Sequence, residues 1–299
     1  MPLTITFTFV AAPPLLPPFR SRRPTPASRT LLRASGQPSQ QHSTSRRALL
    51  HLASISVLST ILPAPSSPAT RCLPEGAAVT ALTDVAWPPS MPFAASDFAR
   101  FDERPDDVFY SFPRLVRHID GPAVAALGSY YRSLLPMASD VLDVCASVEA
   151  YLPGQWPGRR VVAGVGMNEV EMQQNPALNE FAVRDLNVNP KLPYPDESFD
   201  LVMCNVSIDY LTKPVQVVQE MRRVLRKGGK VAISFSDRVF GTKAVSAWMS
   251  GGDQDHVYIV GAYLHYARGL AEPKVLDLTP RKGGKCTSDP LYVVQATKL

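Results

Sequence analysis

From residue 141 onward, short apolar runs alternate with segments of helical spacing. The runs are 141–146, 160–165, 181–186, 199–206, 230–236, 274–278 and 291–296. Near-continuous apolar strands separated by helices predict a mostly parallel sheet covered on both faces, an α/β fold. The clearest helix precedes the fifth strand. There Val217, Val218, Met221, Val224 and Leu225 recur at spacings of three and four, one apolar stripe. Thr212 is placed to cap it, Pro214 sits in its first turn, and Gly228-Gly229 is expected to end it. Arg222, Arg223, Arg226 and Lys227 suit the negative end of its dipole.

Upstream the pattern is looser. Residues 75–95, rich in Pro and Ala, read as a linker. Residues 96–119 mix aromatics with Asp and Arg and read as a helical cover at the start of a domain spanning 96–299. Asp120-Gly121-Pro122 begins a helix that stops near Pro136. A further helix is expected over 254–268, and Lys282-Gly283-Gly284-Lys285 is a hairpin turn, since it lacks the setting of a phosphate loop.

Charge changes the picture at the N-terminus. The first acid is Glu75, and eight arginines and no lysine precede it. Thirty-one basic residues less these eight leave 23, against 26 acidic, so the remainder is slightly acidic. The basic balance belongs to the leader, which excludes a nucleic-acid partner on that ground. An acid-free segment rich in Arg, Ser and Pro has the composition of a transit peptide. Within it, Arg46-Arg47 precedes an apolar run, 48–62, then small residues Ser67 and Ala69 placed as at a cleavage site. A spanning helix needs about 20 apolar residues, so the run reads as a signal core and no membrane helix is expected in the mature protein. Together these predict a removable leader over 1–74, a chloroplast address and a possible thylakoid-lumen destination. A single long transit peptide is the alternative.

Four cysteines, Cys72, Cys145, Cys204 and Cys286, form no C-x-x-C pair and have no His at ligand spacing. Neither a metal site nor a disulfide framework is expected. Cys145 and Cys204 fall in apolar runs and read as buried free thiols.

The segment Leu192-Pro193-Tyr194-Pro195-Asp196-Glu197-Ser198-Phe199-Asp200 and the helix end Glu220-Met221-Arg222-Arg223-Val224-Leu225-Arg226-Lys227-Gly228-Gly229 resemble two segments of small-molecule class I S-adenosylmethionine-dependent methyltransferases. The chain is also similar to a plant chloroplast group of methyltransferase-like proteins, through Gly166-Met167-Asn168-Glu169, Asp209-Tyr210-Leu211-Thr212-Lys213-Pro214, Asp255-His256-Val257 and Gly261-Ala262-Tyr263. The resemblance implies a Rossmann-like fold: a mostly parallel seven-stranded sheet with a terminal antiparallel hairpin. It implies S-adenosylmethionine as cofactor, held at the carboxyl ends of the strands.

In that family the first strand ends in a glycine-rich loop and the second in an acid that takes both ribose hydroxyls. Here Asp143 is kept, but Cys145, Ser147 and Glu149 stand where glycines are expected, and Gly166 stands where the ribose acid is expected. Met167 and Asn168 follow, with Asn168 a substitute acceptor and Ser147 a partner for the amino-acid end. Asp185, with Leu186, is the adenine-side acid. Asp209, Tyr210 and His256 are candidates for the substrate side, and His265 shares the last helix. Losing a charged hydrogen-bond partner costs about 1.5–3 kcal/mol, so cofactor binding is expected to be weak or lost, and Gly166→Asp to strengthen it. Two functions stay open: a methyltransferase acting on a small molecule, and a non-catalytic assembly or binding factor with a thylakoid protein partner. No feature names the substrate.

Overall fold

The computed structural model describes residues 72–135 and 138–299. The leader signals before Cys72 lie outside the described residues. Seven strands form one sheet in the order β3-β2-β1-β4-β5-β9-β6. They are β1 (Asp140–Val144), β2 (Val161–Gly166), β3 (Glu180–Val183), β4 (Phe199–Asn205), β5 (Leu225–Phe235), β6 (Lys274–Asp277) and β9 (Tyr292–Thr297). All the neighbours from β3 to β5 run parallel, and β9 lies antiparallel between β5 and β6. Every run expected as a strand is one, in the expected Rossmann-like arrangement. Between β6 and β9, β7 (Arg281–Lys282) and β8 (Lys285–Cys286) form a separate ribbon. Gly283 and Gly284 both take positive φ at its turn, the backbone of a tight two-residue hairpin.

The central strands are buried along their length, so each needs cover on both faces. Helices α3 (Gly121–Leu134) and α5 (Pro214–Val224) supply part of it. Asp120 caps α3 by accepting the Ala123 amide, as the Asp-Gly-Pro signal predicts. The stripe on α5 is buried as expected: Val217, Val218, Met221 and Val224 have no exposed surface. Its ends differ from expectation. The Thr212 amide and hydroxyl both donate to Asn187 Oδ1, so Thr212 holds a neighbouring loop instead of capping the helix. The helix stops at Val224, and Gly228-Gly229 belongs to the entrance of β5. Gly228 is there at φ 79°, and a Cβ on Gly229 would lie 2.8 Å from the Asp200 carbonyl oxygen.

The two family-like segments meet at the amino-terminal edge of the sheet. Glu220 accepts the Leu192 amide, and Arg223 donates to the carbonyls of Leu192 and Tyr194. Asp200 accepts the amides of Ser139 and Asp140 at the start of β1, and Arg226 bridges Asp200 and Asp140. These residues fasten strands together at the edge opposite the strands' carboxyl ends.

Residues 75–95 are packed, unlike a loose linker. They include α1 (Ala77–Thr80), whose Ala78 is fully buried, and Trp87, which stacks on Tyr258 and His265. The segment 96–119 forms only one turn of α-helix, α2 (Asp106–Phe109), after a 3-10 turn at 95–98. Cys72 and Cys286 form a disulfide across 214 residues, against the expectation of none. Their sequence spacing carries no motif because the ribbon β7–β8 brings them together. Cys145 and Cys204 are free, Cys204 buried and Cys145 half-buried.

Candidate cofactor site

The strand order reverses at β1: β2 and β3 lie to one side, β4 and β5 to the other. Connections leave the carboxyl ends of β1 and β4 in opposite directions, which opens a crevice there. A cavity of about 300 Å³ fills it. Asp143, Cys145, Ser147, Met167, Asn168, Asp185, Leu186 and Tyr210 all line this cavity. Among the sequence candidates, Asp209 and His256 do not. Asp209 lies in the interior, 4% exposed, with its Oδ2 unpartnered, and burial pushes its carboxyl up to about 7. His256, on α7 (Asp253–Tyr266), stacks on Trp248 at 3.9 Å and its Nε2 pairs with the Trp248 carbonyl oxygen. That ring fixes α7 against α6 (Ser246–Ser250), and nothing brings it to the cavity. His265 is spent on stacking with Trp87.

The first strand's loop keeps one trait of a glycine loop. Cys145 sits at φ 62°, the left-handed conformation that a glycine takes freely. Beyond it the loop leans onto β2. The Ala146 amide donates to Val165, continuing the parallel ladder. The Ser147 carbonyl accepts from Asn175, and the Ser147 hydroxyl donates to Glu171 Oε2 at 2.6 Å. Asp143 is 2% exposed, and burial holds its carboxyl well above the usual range, with the Asn205 side chain acting the other way. Burial thus favours the protonated form of this side chain.

The position of the expected ribose acid is closed. A Cβ on Gly166 would lie 2.1 Å from the Ala146 carbonyl oxygen and 3.0 Å from Met172 Sδ. No acid fits there, which corrects the expectation that Gly166→Asp restores binding. Asn168 caps α4 (Glu169–Gln173) by accepting the Glu171 amide, and its amide group donates to the Tyr110 carbonyl. Both polar ends of Asn168, and the hydroxyl of Ser147, thus serve the fold. Asp185 uses Oδ1 to accept the amides of Asn187 and Val188, forming a turn at the end of β3.

The segment 106–118 supplies a wall that sequence reasoning left as a general cover. Asp106, Tyr110, Arg114, Arg117 and His118 face the cavity. Buried Lys243 anchors the segment: its ammonium lies 3.0 Å from Asp106 Oδ1 and donates to the carbonyls of Asp102 and Arg104. Arg100 and Asn187 also bind Asp106. The Arg114 guanidinium packs over Phe109 and Phe240, and His118 meets Phe240 edge-on. Burial lowers the His118 pKa, so its imidazole is neutral at pH 7. The only sequence signal for this wall was the mixture of aromatics with Arg and Asp. No periodicity marks it, because it is held by long-range charge pairs. Among the described residues no cluster of His, Cys, Asp and Glu is arranged to hold a metal.

Residues 162–233 match the methyltransferase domain family. Methyltransferase GfsG of Streptomyces halstedii is 32% identical over 114 residues, 35% of this chain and 40% of that protein. Phosphatidylethanolamine N-methyltransferase of Cereibacter sphaeroides is 46% identical over 43 residues, 14% of this chain and 21% of that protein. The chain thus spans well under half the length of these curated relatives. A crystal structure of an S-adenosylmethionine-dependent methyltransferase from Thermotoga maritima is 18% identical, with TM-score 0.43, covering 59% of this chain and 89% of that one. The stretch from β2 into β5 thus matches the methyltransferase domain family, and it lies within a sheet of Rossmann-like strand order.

Proposed function

We propose that this chain is a methyltransferase of the small-molecule kind, with a weakened hold on S-adenosylmethionine. The observation that supports it is the cavity at the carboxyl ends of β1 to β4, lined together by Asp143, Met167, Asp185 and Leu186 and walled by Tyr110, Tyr210 and Phe240. When bound, the cofactor would supply an activated sulfonium methyl. The protein's part is then alignment, which by itself can lower a barrier substantially. Asp185 and Leu186 would hold the adenine side. The aromatic wall keeps water from the reacting groups, and neutral His118 is a proton acceptor within the same cavity. Weak binding follows from the displaced glycine loop, where Cys145, Ser147 and Glu149 replace glycines. Titration calorimetry of the full chain with S-adenosylmethionine tests this. Measurable binding weaker than low micromolar is the expected result.

The closed corner at Gly166 favours a second function: a non-catalytic assembly or binding factor on the same fold. Its mark is no S-adenosylmethionine binding at any attainable concentration, with capture of a thylakoid protein by the chain.

We also place the protein in the plant chloroplast group and in an oxidising compartment such as the thylakoid lumen. The Cys72–Cys286 disulfide supports this, since such bonds persist where thiols are not kept reduced. Among the described residues no helix is long and apolar enough to cross a membrane. N-terminal sequencing of protein from chloroplasts should find a start between about Thr70 and Ala78, and one no later than Cys72 where the disulfide is kept, which moves the leader's end ahead of residue 74. A start near residue 45 would overturn the lumen assignment.

A further inference from the structure

We infer that Glu171 performs the ribose-binding task that Gly166 cannot. This rests on the proposed cofactor site and names the residue that completes it. A ribose with two vicinal hydroxyls calls for one acceptor carboxylate at the corner between β1 and β2. The Cβ position of Gly166 is filled by the Ala146 carbonyl at 2.1 Å, so the corner cannot be served from the strand end. The next helix carries two carboxylates, Glu169 and Glu171, and of these Glu171 lines the cavity. Glu171 lies in the first turn of α4, five residues beyond Gly166, and its side chain lines the cavity.

Glu171 is 6% exposed, and its hydrogen-bond partners among the described residues are not Arg or Lys side chains. Its two partners are both neutral donors: the Arg114 amide on Oε1 at 2.6 Å and the Ser147 hydroxyl on Oε2 at 2.6 Å. Two carboxylate oxygens offer about four acceptor directions. Two neutral donors leave half of that capacity for hydroxyl groups from the cavity. Ser147 and Arg114 hold the carboxylate in place from the glycine-loop position on one side and the cavity wall on the other. Hydrogen bonds to a charged acceptor are the strong ones, and a site built on them rejects an analogue lacking the hydroxyls.

The test compares S-adenosylmethionine with its 2′-deoxyribose analogue by titration calorimetry, using full-length wild type, Glu171→Gln and Glu171→Ala. Wild type should bind the ribose form at least tenfold more tightly than the deoxy form. Glu171→Gln should lose most of that discrimination while leaving the deoxy affinity within about threefold. Circular dichroism and melting check that the variants fold. Wild type needs no folding control, so equal wild-type affinities overturn the proposal even if both variants unfold. Equal wild-type affinities, or full discrimination retained by Glu171→Gln, would overturn the role of Glu171 and leave the cofactor site standing. Wild-type binding of neither compound would overturn both.

Discussion

Single residues decide what the cavity accepts. Gly166→Asp looks from the sequence like a repair. In the fold its new Cβ meets a backbone carbonyl, so the β1 loop must move. The expected outcome is a lower melting temperature and no gain in S-adenosylmethionine affinity, read by melting and calorimetry on the same sample. Asp209 gives a pH signature. Its carboxyl titrates near 7 when folded and near 3.8 as an ordinary aspartate, because burial disfavours the charged form. A raised folded pKa contributes stability that is full below about pH 4 and is lost as pH rises through 7. The loss amounts to about 4 kcal/mol at most, at 1.36 kcal/mol per unit. Asp209→Asn should therefore be more stable than wild type at pH 8, with the gap narrowing toward pH 5. A gap independent of pH in chemical denaturation would mean that Asp209 is ionised in the fold.

At the scale of elements, packing and charge hold different parts. The α5 stripe is apolar and fully buried, so Val217→Asp places an unpaired charge in the core and should cost several kcal/mol. Lys282→Ala, at the exposed ribbon turn, should change the denaturation midpoint little. Equal midpoints for Val217→Asp and wild type would contradict the assigned face. The wall at 100–118 depends instead on Lys243, which is fully buried among Asp102, Asp106 and two carbonyls. Breaking a buried pair by removing one partner costs about 3–5 kcal/mol. Lys243→Met should accordingly loosen the wall before it unfolds the sheet. Trypsin should then cut at Arg104 or Arg114 faster than in wild type, with the sheet's circular dichroism retained.

Across the whole molecule, the disulfide closes the described chain on itself. Residues 72 and 286 are 214 apart, and a loop of that length gives about 5 kcal/mol in the chain-entropy account. Cys286→Ser should lower the denaturation midpoint, and a reducing agent should bring wild type to the same value. No effect of reductant on wild type would show that the bond contributes nothing in solution.

The periodic features were legible in the sequence. Seven apolar runs became seven strands, and the stripe 217–224 became the buried face of α5, because burial on a strand or helix imposes its own spacing. The fold segments at 192–200 and 220–229 were equally legible as continuous stretches that resemble family segments, although the contacts they make span 28 residues or more. The cavity candidates on strand ends, from Asp143 to Leu186, also converged, because parallel strands carry their carboxyl ends to one edge. Four matters were decided only by tertiary contact: the fate of Gly166, the separation of His256 from the cavity, the wall anchored by Lys243 and the Cys72–Cys286 bond. Each depends on atoms from distant segments meeting within a few ångströms, and no local spacing of residue types encodes such a meeting.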